Sequence, residues 1–152
     1  MSFEVRRLGP GDAASLRQLN SMFARAFDEP QTYVPEPSEA YVRRVLGREQ
    51  VIALVATAEG EVVGGLVAYV LDKLEQERSE IYVYDLAVDE DFRRRGIATG
   101  LLAEVQRIAA RPGAWVVFVQ ADYGDDPAIA LYDGLGAREE VLHFDIPPRT
   151  TR

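Results

Sequence analysis

Apolar positions along the 152-residue chain change period several times, and each change predicts an element. Residues 3 to 8 are a short strand candidate, after which Pro10-Gly11-Asp12 breaks the chain and offers Asp12 as a helix N-cap. Leu16, Leu19, Phe23 and Phe27 recur at helical spacing, so a helix is predicted over about residues 13 to 27. Asp28 to Pro37 carries three prolines and cannot extend it. Ser38 then caps a short second helix holding Tyr41, Val42, Val45 and Leu46. Val51 to Ala58 and Glu61 to Val70 are rich in β-branched residues and joined by Glu59-Gly60, the pattern of a hairpin, with Gly64-Gly65 marking a bulge.

A charged connection, Asp72 to Glu80, leads into Ile81 to Val88, whose Tyr, Val and Ile content predicts a central strand. Helical spacing returns in Ile97, Leu101, Leu102, Val105, Ile108 and Ala109, and Arg111-Pro112-Gly113 ends it. Trp115 to Ala121 reads as a further buried strand. Pro127 opens a short helix ending near Gly134 to Gly136, and Glu139 to Ile146 reads as the last strand. The order strand, helix, helix, hairpin, strand, helix, strand, helix, strand predicts a mixed α/β sheet in one domain spanning residues 1–152.

Composition narrows the chemistry. With 47% hydrophobic and 28% charged residues the chain is globular rather than disordered. It has no cysteine, which excludes disulfides, thiolate metal sites and a cysteine nucleophile. The single histidine, His143, excludes a multi-histidine zinc site within one chain, so no metal is expected. No signal-peptide core and no apolar run of membrane-spanning length occurs, so a cytoplasmic location without a membrane partner is expected. The net charge of −8 disfavours nucleic acid and suits a cationic partner, or serves only solubility.

The strand at 81 to 88 runs into Asp89-Glu90-Asp91-Phe92, three arginines, Gly96 and a helix. A helix N-terminus leaves backbone N–H groups unpaired and carries partial positive charge, so this turn suits a phosphate; a solvated basic turn balancing the preceding acids is the other reading. The turn lacks the Gly-Lys-Ser/Thr ending of a P-loop and the spacing of a dinucleotide fingerprint.

Arg93-Arg94-Arg95-Gly96-Ile97-Ala98 matches Arg/Gln-x-x-Gly-x-Gly/Ala, and on it the chain resembles the GNAT superfamily of acyl-CoA-dependent N-acetyltransferases. The resemblance implies a central, mostly antiparallel sheet with one splayed parallel strand pair, flanked by about four helices. It implies acetyl-CoA as cosubstrate, with Leu86, Ala87 and Val88 along the pantetheine arm and Arg93, Arg94, Arg95, Gly96, Ile97, Ala98 and Thr99 at the pyrophosphate. It also allows a homodimer. Residues 77–88 and 119–128, with Met22 to Phe27 and His143-Phe144-Asp145, are similar to the type I aminoglycoside 3-N-acetyltransferases, the gentamicin and fortimicin class. That likeness covers about residues 3 to 146. It implies a 2-deoxystreptamine acceptor acetylated on its 3-amino group, and hence antibiotic resistance.

Acetyl transfer to an amine poses two proton problems: the ammonium must lose a proton, and the departing thiolate benefits from gaining one. Tyr132, in the helix after Pro127, stands where the resemblance places a tyrosine beside the coenzyme sulfur; packing with Leu131 and Leu135 is its other reading. Asp85 is the first candidate base, because a charge inside an apolar strand needs a reason, and a structural carboxylate satisfied by nearby donors is the alternative. Alternation puts Tyr82 and Tyr84 on one face and Asp85 with Val83 on the other, unless a bulge shifts the phase.

Glu80, at the strand's start, is a candidate to hold substrate. From Asp122 to Asp145 the chain has seven acids and one arginine, Arg138, the pattern expected of a wall facing a polycation. Within it Asp126, before Pro127, is read first as a helix cap and second as a substrate contact, while Asp125 is freer to face the substrate and Asp145 is a further candidate contact. Asp28 and Glu29 supply an opposite wall or merely solvate their loop. His143 is read as a packing residue. Two rival functions remain open: the same chemistry on a polyamine or a protein N-terminus, and a non-catalytic acyl-CoA sensor.

Overall fold

The computed structural model describes residues 2–33 and 35–150. Val34 and the two ends of the expected 1–152 domain span lie outside the described residues. In chain order the elements are β1 (Glu4–Arg7), α1 (Ala13–Phe27), α2 (Pro30–Tyr33), α3 (Glu39–Leu46), β2 (Val51–Ala58), β3 (Glu61–Asp72), β4 (Ser79–Val88), a 3-10 turn (Glu90–Phe92), α4 (Ile97–Ala109), β5 (Ala114–Val119) and α5 (Asp126–Asp133). By internal contacts the chain forms two compact units, one through Gln120 with the whole sheet and α1 to α4, the other from Ala121 with α5.

The sheet has the order β1-β2-β3-β4-β5. Its first three pairings are antiparallel and β4–β5 is parallel, as the α4 crossover between those strands requires. This is the mixed sheet that the pattern predicted. Among the described residues five α-helices form rather than about four, because Pro30–Tyr33 makes a single turn within the proline-rich loop.

Both faces of the sheet are covered, which is why β2 is a nearly continuous apolar run. Ala53 and Val55 face α1 and α3, in one cluster with Leu19, Met22, Phe23, Val42 and Leu46. The alternate residues Ile52, Leu54 and Ala56 are equally buried and face the side covered by α4, whose Ile97, Leu101 and Val105 have almost no exposed surface. The two central glycines of β3 serve this packing. A Cβ on Gly64 would lie 2.9 Å from Ile97 Cγ2, and one on Gly65 would fall directly onto Leu19 Cδ1. Consecutive glycines thus admit α4 to one face and α1 to the other. The bulge expected at this pair lies beside it: Ala56 pairs with Gly64 but Thr57 with Val62, leaving Val63 as the extra residue.

Three further expectations are corrected. Asp12 does not cap α1 through its side chain; its Oδ2 accepts from Gly9 N at 2.7 Å and its Oδ1 pairs with Arg6 at 3.0 Å, so it fastens the turn instead. Trp115 to Ala121 shortens to β5, an edge strand with Trp115 about half exposed rather than a buried one. Glu139 to Ile146 forms no strand among the described residues, and its Val141, Leu142, Phe144 and Ile146 are exposed. Side-chain alternation allows a strand, but only a backbone ladder makes one. Ser38 does cap α3, its Oγ accepting from Tyr41 N at 3.1 Å.

Candidate active site

The face on which Asp85 lies is decided by one residue. Val67 pairs with Asp85, but its neighbour Ala68 pairs with Val83, so Tyr84 is an extra residue in β4. The bulge shifts the phase: Asp85 shares a face with Tyr82 and, across the ladder, with Tyr69 and Val67. Simple alternation assigned it to the opposite face. Glu80 lies on the same face as Asp85, about 15 Å back along the strand at ordinary strand rise.

Above this face, between α1, α3 and the sheet, is a cavity of about 190 Å³, whose wall includes Asn20, Phe23, Tyr41, Tyr69 and Asp85. Its lining is otherwise aliphatic, so Asp85 is the acid at an apolar wall. Burial pushes the Asp85 carboxyl above the usual range, a hydrogen bond from Tyr33 Oη to its Oδ1 at 2.9 Å pulls it back, and the negative charge of Glu29 raises it further. Glu29 is thus close enough for its charge to act on Asp85. Asp28 mainly terminates α1, with φ 52° and its backbone N–H bonded to the last carbonyls of the helix. Its αL geometry is one an aspartate tolerates.

Farther along β4 the parallel ladder to β5 ends at the pair Val83 and Val119, while β4 continues to Val88. Leu86, Ala87 and Val88 pair with Leu66, Gly65 and Gly64 of β3 on one side, and lie beyond the β5 ladder on the other. A strand that has parted from its neighbour presents backbone donors and acceptors to an extended ligand. The turn that follows is fixed by its own polar groups. Asp89 N donates to Val63 O at 2.7 Å, Asp89 Oδ1 accepts from Asp91 N at 3.1 Å, and Arg93 Nε donates to Val88 O at 3.2 Å. Arg25, at the end of α1, donates to Asp89 Oδ2 at 3.3 Å and ties the helix to the turn.

Arg94 and Gly96 both take left-handed conformations, with φ 64° and 81°, and α4 begins at Ile97. Gly100 N donates to Gly96 O at 2.9 Å, so the N–H groups of Ile97, Ala98 and Thr99 precede the first intrahelical bond and are free of it. A Cβ on Gly96 would meet no atom within 4 Å, so the backbone is uncrowded at this glycine. The guanidinium of Arg95 lies 5.1 Å from the Phe92 ring centroid. Together the parted strand, the helix start and the arginine turn fit the arm and pyrophosphate of a coenzyme A thioester.

In the unit from Ala121, the cap of α5 is Asp125 rather than Asp126: its Oδ1 accepts from Ala128 N at 3.4 Å, and Asp126 is the first helical residue. The capping role expected of Asp126 thus falls to Asp125, because the cap precedes Asp126-Pro127 by one residue. Tyr132 is partly buried, and its phenol is pushed up by burial first and by the Asp125 carboxylate second. It keeps its proton at neutral pH. Several of the acids expected to form a wall are already engaged. Asp133 forms a two-bonded pair with Arg138, Glu140 accepts from Tyr123 Oη at 2.6 Å, and Asp145 contacts His143 Nε2 at 2.8 Å. Asp126, the first residue of the helix, is exposed.

The sequence pattern missed Tyr33, Tyr69 and Arg25. Tyr33 carried a usable signal: an aromatic residue in a polar, proline-rich loop, one loop-length after Phe23 and Phe27, against whose rings it packs at centroid distances of 5.7 and 5.8 Å. No cluster of three or more His, Cys, Asp or Glu suited to a metal ion occurs among the described residues.

The profile of the acetyltransferase (GNAT) family matches residues 16–137. The crystal structure of the aminoglycoside acetyltransferase HMB0005, from an uncultured soil metagenomic sample, is 53% identical, covers 98% of this chain and 100% of its own, and superposes with a TM-score of 0.95. The aminoglycoside acetyltransferase meta-AAC0020, also from an uncultured soil metagenomic sample and crystallised with sisomicin, is 31% identical over 97% of each chain, with a TM-score of 0.88. The structure of AAC(6')-Iy with a bisubstrate analogue shares the fold at 18% identity and a TM-score of 0.76. Comparison with curated proteins gives no significant match. The parted strand and the arginine turn lie inside the region that the family profile matches, and the chain belongs to the acetyltransferase (GNAT) family.

Proposed function

We propose that this acetyltransferase acts on aminoglycosides, transferring acetyl to the 3-amino group of the 2-deoxystreptamine ring and so conferring resistance. The observation that carries the reading is the 53% identity over 98% of the chain to an aminoglycoside acetyltransferase, at a TM-score of 0.95. The acidic locality at Asp85 and Glu29 supports a cationic acceptor. The choice of the 3-amino group rests on the likeness of residues 77–88 and 119–128 to the type I enzymes.

Acetyl-CoA, when bound, supplies the acetyl thioester. Leu86, Ala87 and Val88 hold its arm through β4 backbone groups, and Arg93, Arg94 and Arg95 with the amides of Ile97, Ala98 and Thr99 hold its phosphates. Asp85 takes a proton from the acceptor ammonium at a carboxylate oxygen, freeing the nitrogen lone pair to form the new N–C bond. Its raised carboxyl brings it nearer the basicity this task needs. Tyr132 holds a proton at Oη for the sulfur that leaves; burial and the Asp125 carboxylate keep that proton in place at rest, and its transfer to a thiolate is uphill unless coenzyme binding lowers the phenol. Asp125, Asp126, Asp145 and Glu80 are proposed as further contacts for the acceptor's other ammonium groups.

The test is product mapping by NMR after incubation with acetyl-CoA and gentamicin, alongside turnover on spermidine and an N-terminal peptide. Acetylation at the 3-amino group is expected. Acetylation at another position would overturn the regiochemistry, and turnover of spermidine without any aminoglycoside would overturn the substrate class.

A further inference from the structure

Tyr33 stands out among groups that the proposed chemistry does not use. It sits on the single turn of α2 between two prolines, and its ring is held by a seat of two α1 side chains: Phe23 and Phe27 stack at 5.3 Å, and Tyr33 packs against both. Phe23 is 1% exposed, so the seat is anchored in the core. From it the hydroxyl reaches 52 residues along the chain to donate to Asp85 Oδ1 at 2.9 Å. A proline-rich loop of polar residues has no other evident reason to bury an aromatic ring against the carboxylate of the central strand.

We infer that Tyr33 is a positioning residue for the acetyl transfer: it fixes Asp85 through Oδ1 and leaves Oδ2 to receive the acceptor's proton. This rests on the reading of Asp85 as the base. The bond does two things. It locks the carboxylate rotamer, which otherwise turns freely about its last torsion, and it favours the ionised form that a base must have. Burial and Glu29 oppose ionisation, so the Tyr33 bond is the influence that restores it. The groups that act on this carboxylate are Tyr33 and Glu29 from the loop and α2, and its charge in turn raises the phenols of Tyr69 on β3 and Tyr82 on β4. Tyr41 of α3 lines the same cavity, whereas α1 presents Asn20 and Phe23, neither of which titrates. Tyr33 is the hydrogen-bond donor among them.

The test is Tyr33→Phe, which keeps the ring in its seat and removes the hydroxyl. Two profiles are measured against pH: kcat/KM for gentamicin, and the carboxyl carbon signal of Asp85 by NMR, assigned by its loss in Asp85→Asn. Activity disappears as pH falls and Asp85 takes up a proton, so loss of the Tyr33 bond is expected to move that acid limb to higher pH. The NMR midpoint should move the same way, and kcat/KM at neutral pH should fall about tenfold with KM little changed. A wild-type enzyme active on gentamicin whose acid limb and Asp85 titration are both unmoved by Tyr33→Phe overturns the inference. Should wild type acetylate no aminoglycoside while the Asp85 titration still shifts, the substrate reading fails and the Tyr33–Asp85 coupling stands. If Tyr33→Phe does not fold, Phe27→Leu loosens the seat while keeping the hydroxyl. It is expected to shift both profiles in the same direction, and unmoved profiles there are equally decisive against the inference.

Discussion

A carboxylate held against an apolar wall is costly, and Asp85 shows what that costs and why it is kept. Because its folded pKa is raised, the native state retains a proton that the unfolded chain has already lost over the interval between the two values. Its contribution to stability is therefore fully present below the unfolded value of about 3.8 and is lost as pH rises through the folded value. At pH 7 the ionised group is a net burden, and Asp85→Asn, which still accepts from Tyr33, is expected to raise Tm by about 2 °C or more while reducing kcat by about 100-fold or more. The gain should vanish in unfolding scans at pH 3; a variant less stable than wild type at pH 7 contradicts this account. Gly96 makes the opposite case, a residue chosen for its backbone. At φ 81° an added Cβ meets no neighbour, so Gly96→Ala strains the backbone by about 1 kcal/mol without a clash. The expected result is a KM for acetyl-CoA raised about tenfold with kcat nearly unchanged, read from initial rates at a saturating acceptor. Both residues were visible in the sequence, one as a charge in an apolar run and one as the glycine of a signature. What stayed hidden was the side of the sheet on which Asp85 lies, because the extra residue at Tyr84 is set by pairing with β3 and leaves no mark in the local pattern.

At the scale of elements, the helices α1, α3 and α4 and the hairpin β2–β3 were legible because each buries a periodic face and ends at a recognisable stop. The short pieces were not. Pro30–Tyr33 is a single turn held by the Phe23 and Phe27 rings, so its cause lies in another element. Glu139 to Ile146 has the side chains of a strand and no ladder among the described residues. The cap of α5 was displaced by one residue, since Asp125 and Asp126 are both suitable and only the backbone decides between them. The parting of β4 from β5 after Val83 was expected from family resemblance alone; nothing in the residues of β5 announces where its ladder stops. The glycine pair in β3 yields a test of how helices seat on the sheet. Gly65→Ala drives a methyl into Leu19, which is fully buried, and is expected to destabilise the protein by about 1–3 kcal/mol in urea unfolding. It should also lower kcat/KM, since α1 carries the Phe23 and Phe27 seat. Gly64→Ala meets Ile97 at 2.9 Å on the other face and should cost less. Equal losses from the two variants would show that the α1 contact is no tighter than the α4 contact.

Over the whole molecule the two substrates call for opposite charges, and the chain's net charge of −8 favours only one of them. Basic groups are concentrated where phosphate is expected, in Arg93, Arg94 and Arg95, while several acids are neutralised locally: Asp12 by Arg6, Asp89 by Arg25, Glu104 by Arg107 and Asp133 by Arg138. On the proposed reading, the attraction for a polycation would come from the summed field of the remaining acids as well as from contacts near Asp85. A field of this kind is screened over about 8 Å at 0.15 M salt, whereas a hydrogen bond to a partly buried carboxylate is screened much less. Raising ionic strength from about 0.05 to about 0.5 M is therefore expected to increase KM for a four- or five-amine aminoglycoside about three- to tenfold, with kcat changed by less than about twofold. The slope should scale with the number of ammonium groups, because each added charge samples the same field. Initial rates on aminoglycosides of graded amine count, at saturating acetyl-CoA, provide the measurement. Equal salt sensitivity for a monoamine and a pentamine would mean that recognition is confined to the reacting amine, and that the acidity of the chain serves solubility instead.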